Sequence, residues 1–198
     1  MNGDIVIYEN REYNYFDFLH IVKNMKKATI YILNQNIYIR KVKINSNKID
    51  DDEINNIKKL EFGDEEEYLI HYEINKKEKY LYIYALSGGR IILGISKYFK
   101  ELKVIPIQMQ YKRKFEKIIK QKNYQCLFSY LGIYYYFAVK NGYIELSNIY
   151  RDISYVMEFV KRLENPDILY IEKGIEIDKD NINIVEVGDI YNDKILFK

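Results

Sequence analysis

Between Cys126 and Arg151 stand the residues whose types and spacing come nearest to a chemical site. Gln125 to Ser129 is an apolar run broken at Tyr130-Leu131-Gly132, and Ile133 to Val139 is a second. Lys140-Asn141-Gly142 then turns the chain into Tyr143 to Tyr150. Asn-Gly between two apolar runs predicts a hairpin, because both central residues of a type I′ turn need positive φ. A glycine-based hairpin followed by a helix is a frame on which nucleotide-binding folds grip phosphate. Such a site needs an Asp or Glu to hold the metal, or a Lys, Ser or Thr to touch the phosphate. Here the corresponding positions are mostly tyrosine, so the frame is present and the chemistry is missing.

The other candidates are weaker. His20 and His71 are the only histidines, with no cysteine or histidine cluster near either. A zinc site wants three or four clustered ligands. Neither histidine completes a Ser/His/Asp or Cys/His arrangement. Cys126 is the single cysteine, which excludes an internal disulfide, and its apolar neighbours predict a buried thiol rather than a nucleophile. Asp50-Asp51-Asp52-Glu53 and Glu65-Glu66-Glu67 fit no calcium-loop spacing and read as a helix start and a solvated loop. Ser87-Gly88-Gly89 stands between a strand and a helix, where free amides and absent side chains suit an anion. No Lys-Ser or Lys-Thr follows, so it is not a P-loop and reads as a tight turn. Arg40-Lys41, Lys112-Arg113-Lys114 and Lys161-Arg162 read as solvated surface.

These residues must be positioned by the elements around them. Phe18, Leu19, Val22 and Met25 lie at helical spacing and predict a helix over 16–26. Ala28 to Leu33 and Ile37 to Ile44 are β-rich runs around Asn34-Gln35-Asn36 and predict a second hairpin. A helix over 52–60 starts on carboxylates that favour its dipole, with Ile54, Ile57 and Leu60 as its inward stripe. Tyr68 to Ile74 and Tyr80 to Leu86 are strands. In the second, Leu81, Ile83 and Ala85 face one side while Tyr80, Tyr82 and Tyr84 face the other. Ile91, Ile92, Ile95, Phe99 and Leu102 mark a helix, followed by a strand Lys103 to Met109, a crossover that implies parallel pairing. Tyr111 to Gln121 is a basic helix with Phe115, Ile118 and Ile119 inward. Ile153, Val156, Met157, Val160 and Leu163 mark an amphipathic helix stopped at Asn165-Pro166. Asp167 to Glu172 is a strand ending at Lys173-Gly174, and the remainder reads as a short helix and one or two strands. No repeat recurs at a fixed period.

Length and composition set the class. At 198 residues the chain is one domain, or one core divided into lobes. Hydrophobic residues are 48% and charged ones 30%, with two prolines, which suits a folded globular protein. A net charge of +2 from 31 basic and 29 acidic residues leaves no electrostatic footprint for nucleic acid. The 22 tyrosines follow a general skew toward Ile, Lys, Asn and Tyr and read as strand and surface filler. Met1 to Ile7 has neither a basic region nor a long apolar core and does not read as a signal peptide. No window approaches the ~18 apolar residues of a membrane span. The expectation is a cytosolic protein that reaches a membrane only through a partner.

Taken in order, these elements resemble the type IV pilus assembly family called PilM and the related cytoplasmic half of the type II secretion L protein. Residues 64–115 are similar to that family's small subdomain. Glu67-Tyr68-Leu69-Ile70-His71-Tyr72 opens a strand, another strand ends at Ala85, and Leu102-Lys103-Val104-Ile105-Pro106-Ile107 follows a helix. The family opens its phosphate hairpin with Asp-x-Gly, places Thr four residues after the Gly and closes with Arg. This chain has Tyr130-Leu131-Gly132, Tyr136 and Arg151, so the Gly and Arg are kept and the Asp and Thr are not. The late glycine pair beside the adenosine is here Lys173-Gly174. The family's first phosphate loop has no counterpart.

The resemblance covers roughly residues 15–175. It implies an α/β, reduced actin-like (ribonuclease H-like) fold with mixed sheets and flanking helices. Residues 1–198 would form one domain of two lobes, 1–122 with the small subdomain near 64–119, and 123–198. It also implies a degenerate phosphate hairpin at Tyr130, Gly132, Tyr136 and Arg151 and a degenerate adenosine turn at Gly174, with Tyr130 and Tyr136 crowding the phosphate space. No cofactor, metal or catalytic residue follows. The implied protein is a scaffold of a pilus or secretion platform, not an enzyme. Its partners would be the cytoplasmic tail of an inner-membrane protein and the assembly motor ATPase. Two readings stand beside it: a nucleotide-binding protein using unconventional contacts such as Ser87-Gly88-Gly89, and an unrelated small α/β interaction module.

Overall fold

The computed structural model describes residues 5–9, 11–23, 25–45, 49–63, 65–163, 168–177 and 183–188. Strands β1 (Ile5–Tyr8) and β2 (Arg11–Asn14) form an antiparallel hairpin. Asn14 then caps helix α1 (Tyr15–Val22), its side chain accepting from the Asp17 amide at 2.9 Å. Strands β3 (Lys27–Ile32) and β4 (Tyr38–Lys43) follow, and they do not pair with each other as their sequence predicts. Each strand finds its partner elsewhere in the chain, β3 with the strand Glu101–Pro106 and β4 with the strand Tyr80–Ser87. The loop is pinned elsewhere. The Gln108 side-chain amide donates to the Gln35 carbonyl at 2.8 Å, and Ser87 Oγ bonds the Gln35 side chain at 3.2 Å.

Helix α2 (Asp51–Phe62) is capped by Asp50, which accepts from the Glu53 amide at 2.8 Å, with three acids in its first turn complementing the dipole. Ile54 is buried as its spacing predicts. Leu60 is 84% exposed, and Phe62 takes its place against the sheet. After a 3-10 turn, Glu65–Glu67, strands β5 (Tyr68–Asn75) and β6 (Tyr80–Ser87) pair antiparallel, and β6 is central in the sheet β4-β6-β5. The alternation holds: Leu81 and Ile83 face the α2 side, while Tyr82, Tyr84 and Leu86 face the main core.

Helix α3 (Gly89–Ser96) stops earlier than its apolar spacing predicts, leaving Phe99 and Leu102 outside it. The Lys100 and Glu101 amides turn to the Lys26 carbonyl and start β7 (Glu101–Pro106). The predicted parallel pairing exists, but β7 pairs with β3 and not β6, since both edges of β6 are taken by β4 and β5. Helix α4 (Ile107–Ile119) buries Ile107, Tyr111 and Phe115 at i, i+4 and i+8. Ile118, predicted inward, is half exposed. Lys112, predicted as surface, is buried along its stem and reaches Glu116 at 2.8 Å.

Strands β8 (Tyr124–Tyr130), β9 (Ile133–Lys140) and β10 (Tyr143–Tyr150) form the predicted meander. Helix α5 (Ile153–Lys161) follows, capped by Asp152, and then come β11 (Leu169–Glu172) and β12 (Ile184–Val187). The sheet runs β10-β9-β8-β11-β12, with β8, β11 and β12 mutually parallel. The predicted last segment yields one strand among the described residues, and most of the rest lies outside them.

Tyrosine is core here as well as filler. Tyr82, Tyr111, Tyr135 and Tyr136 are fully buried. One cluster runs from Ile37, Tyr82 and Tyr84 through α4 to Phe128, Tyr135, Phe137 and Ile144, joining the two larger sheets. Lys41 and Tyr82 both donate to Glu145 Oε1, at 2.7 and 3.0 Å, and Tyr82 stacks on Tyr143 at 4.5 Å. The Glu145 carboxylate, through that bond, holds the Lys41 ammonium above its ordinary pKa. Cys126 is fully buried, and burial pushes its thiol well up. The native protein is expected to show no thiol toward an aromatic disulfide reagent and a single one after denaturation, followed by absorbance.

Candidate functional site

The β8-β9 turn is Leu131-Gly132, with φ of +49° and +73°, and the β9-β10 turn is Asn141-Gly142, with +54° and +87°. Both are the tight turns that strand twist favours. The Asn141-Gly142 turn is tied down by the Lys122 carbonyl, which accepts from the Gly142 amide at 2.8 Å, and by Asn123, which accepts from the Asn141 amide at 2.7 Å.

Alternation along β8 and β9 separates the residues that the sequence groups together. Tyr130 lies half-buried on the face shared with Phe128 and Tyr135. Tyr136 lies on the opposite face, fully buried against Leu127, Val156 and Val160. Its ring meets Phe159 edge-on at 4.8 Å, and its hydroxyl donates to Gln125 Oε1 at 2.8 Å. Burial pushes its phenol well above the ordinary tyrosine range, so it stays neutral. The two tyrosines therefore do not crowd one space. Arg151 is exposed at the bend between β10 and α5, with no ion pair among the described residues.

The structure does bring the hairpin and the Gly174 turn together. Ser129 and Tyr134, flanking the Leu131-Gly132 turn, line a cleft of about 330 Å³ with Ile153 and Met157 of α5 and Gly174, Ile175 and Glu176. An adjoining recess adds Lys173, Ile177 and Glu186. Gly174 reverses the chain at φ +94°, a conformation that favours glycine. Beside the cleft, the carboxylate of Glu172 is buried and accepts from the Ser129 amide at 3.0 Å. By its sequence position Glu172 reads only as the end of a strand. The available signal was a lone acid closing the apolar strand Leu169-Tyr170-Ile171, just before the glycine turn.

The resemblance read from the sequence makes this cleft the relic of a phosphate hairpin and adenosine turn, and its lining does not fit a nucleotide with its magnesium. Phosphate binding works by charge neutralisation and positioning, through cations, amides and metal-held oxygens. The cleft offers aliphatic side chains, one tyrosine, Ser129 and Glu176, with a buried carboxylate behind them. Its basic contribution is Lys173 in the adjoining recess. Among the described residues no three His, Cys, Asp or Glu side chains cluster so as to hold a metal ion. His20 and His71 lie on α1 and β5, apart from the cleft.

Ser87-Gly88-Gly89 is used by packing. A Cβ on Gly89 would stand 2.5 Å from the Glu66 carbonyl oxygen and 2.8 Å from that of Tyr68. Glycine is thus required there by the close approach of backbone, and two carbonyl oxygens make poor company for an anion. Gly89→Ala is expected to cost about 1–3 kcal/mol, because backbone cannot yield as a side-chain tip can. Urea denaturation checks this, and a cost near zero would contradict the packing role.

No family model and no curated protein matches this chain. Solved structures do. The cytoplasmic domain of EpsL, an inner membrane component of the type II secretion system of Vibrio cholerae, aligns with 90% of this chain and 77% of its own, at 9% identity and a TM-score of 0.53. The PilM-PilN type IV pilus biogenesis complex aligns with 94% of this chain and 77% of that one, at 8% identity and a TM-score of 0.54. A Bacteroides thetaiotaomicron protein with an actin-like ATPase fold covers 81% of this chain and 67% of its own, at 11% identity and a TM-score of 0.41. At such identities the likeness is one of architecture. The chain has the actin-like fold, in mixed α/β form with several sheets and flanking helices.

Proposed function

We propose that this protein is a scaffold of a pilus or secretion assembly platform that holds protein partners and does not turn over nucleotide. The observation that carries this reading is the cleft where the hairpin meets the Gly174 turn. Its charged residues are Glu176 and the buried Glu172, with Lys173 and Glu186 in the adjoining recess, a net acidic lining where a phosphate site needs positive charge. The fold supports it, because the solved structures it resembles include an inner membrane component of a secretion system and a pilus biogenesis complex. In this reading Tyr130, Gly132, Tyr136, Arg151 and Gly174 are the remains of a nucleotide site kept for turns and packing. The chain acts as one domain of two lobes, 1–122 and 123–198.

The partner is the cytoplasmic tail of an inner-membrane protein, with the assembly motor ATPase as a second contact. The protein is held at the cytoplasmic face of the membrane through that tail. Among the described residues no helix is long and apolar enough to cross a membrane. Two measurements test the reading. Mild-detergent co-purification from native cells is expected to recover a membrane-anchored assembly protein. Calorimetry with ATP and Mg²⁺ is expected to give no heat of binding, and micromolar affinity would overturn the scaffold reading.

A further inference from the structure

Over the whole chain the charge is nearly even, 31 basic residues against 29 acidic. At one end of the β3-β7 pair it is not. Residues 23–27 and 97–103 hold six lysines, Lys23, Lys26, Lys27, Lys97, Lys100 and Lys103, and one acid, Glu101. All of these lysines are exposed. The fold brings the two segments to one place, because the Lys26 carbonyl accepts from the Lys100 and Glu101 amides at 2.9 and 3.3 Å. Parallel register then sets Lys27 opposite Glu101 and Thr29 opposite Lys103, on one face of the pair. Glu101 meets Lys27 at 2.5 Å and Lys103 at 3.7 Å, so one carboxylate serves two ammonium groups.

Helix ends account for part of this concentration. Lys23 and Lys97 are the C-caps of α1 and α3, where a cation complements the dipole. Lys26, Lys27, Lys100 and Lys103 have no such reason, and like charges held together oppose folding. Apolar side chains also stand in the open here. Helices α1 and α3 touch at Gly94, where an added Cβ would lie 2.9 Å from the Tyr15 hydroxyl. Flanking that contact, Phe16 is 74% exposed and Leu93 55%. Phe16 shares a helix face with Lys23, seven residues on, and Leu93 shares one with Lys97, four residues on.

We propose that this patch binds the surface of an anionic lipid bilayer, its lysines on the headgroups and Phe16 and Leu93 dipping into the interface. Arginine, whose planar fork holds acids in a set geometry, is absent from both segments. Flexible point charges suit a fluid array of headgroups better than the fixed carboxylates of a folded partner. Exposed apolar side chains beside basic ones are the other half of interfacial binding, and lysine stems reach outward around them. The proposal goes beyond the scaffold reading and does not rest on it, because the contact needs no protein partner.

The full chain is mixed with vesicles of about 30% phosphatidylglycerol in phosphatidylcholine, or of phosphatidylcholine alone, in about 0.1 M salt, and bound protein is separated by flotation. Binding to the anionic vesicles alone is expected, and its loss in about 0.5 M salt. Lys26→Gln with Lys100→Gln is expected to weaken it about thirtyfold, since each lysine near an anionic surface contributes about fivefold. Lys76→Gln with Lys77→Gln, an equal change of charge in the exposed β5-β6 turn, is expected to bind as the unaltered chain does. Circular dichroism checks that both pairs keep the fold. The chain contains no tryptophan, so Phe16→Trp places a single reporter in the patch. Its emission is expected to move to the blue on anionic vesicles. Absent binding, equal loss in the two lysine pairs, or unmoved emission overturns the proposal. If polyglutamate or duplex DNA binds in the same salt and the vesicles do not, the lysines serve an acidic protein or a nucleic acid instead. Co-purification of a membrane protein bears on the scaffold reading alone.

Discussion

Replacing Phe128 by alanine is expected to lower stability by about 3–5 kcal/mol, the range for emptying a buried aromatic position. Phe128 is fully buried at the centre of the main core. Its ring lies between Tyr111, with centroids 3.7 Å apart, and Tyr135 at 4.8 Å, both within 8° of parallel. Phe115 and Phe137 approach from the sides at 6.5 and 6.1 Å. Truncation therefore removes packing from four rings on α4 and β9 at once, and each aromatic pair adds about 0.5–1.5 kcal/mol beyond burial. A domain of this size holds only about 5–15 kcal/mol in total. At roughly 2–4 °C per kcal/mol, the loss corresponds to a Tm about 6–20 °C lower. Phe128→Leu keeps most of the volume and is expected to lose less. Thermal unfolding followed by circular dichroism checks both, and a drop under about 2 °C for the alanine variant would show that the ring stack is not the core of the fold.

The same ring stack shows what the sequence could and could not convey. Period-two alternation in β6 was legible, because a one-residue slip would turn its apolar set to the other face. Asn141-Gly142 was legible because its backbone demand is local. Partners were not. The predicted hairpin between β3 and β4 followed from two apolar runs and a short loop, but β3 pairs with β7 and β4 with β6. Those choices are made by strands far downstream and by Gln108 gripping the loop at Gln35. Helix stripes were read correctly at Ile54 and Phe115 and wrongly at Leu60 and Ile118, where spacing fits but the helix end has no facing surface. At the site, Gly174 and the Leu131-Gly132 turn do converge. What failed was the assumption that Tyr130 and Tyr136 act together. Six residues apart on opposite sides of a tight turn, they land on opposite faces of the sheet.

That separation gives the nucleotide question a direct form. If Tyr136 were a plug in a phosphate cleft, its truncation would be inexpensive and would open room for a ligand. Its placement says otherwise: the ring fills the space between β9 and α5, against Val156, Val160 and Phe159. Tyr136→Ala is therefore expected to cost about 3–5 kcal/mol. Tyr136→Phe, which keeps the ring and removes only the bond to Gln125, is expected to cost about 1 kcal/mol. Neither variant is expected to bind ATP with Mg²⁺ in calorimetry, because removing a core ring supplies neither a cation nor a metal ligand to the cleft beside it. The opposite pattern, a cost under about 1 kcal/mol for the alanine variant together with new nucleotide binding, would place Tyr136 in a masked phosphate site. The cleft's net acidic lining argues for the first outcome, since lost phosphate chemistry needs charge restored and not only space.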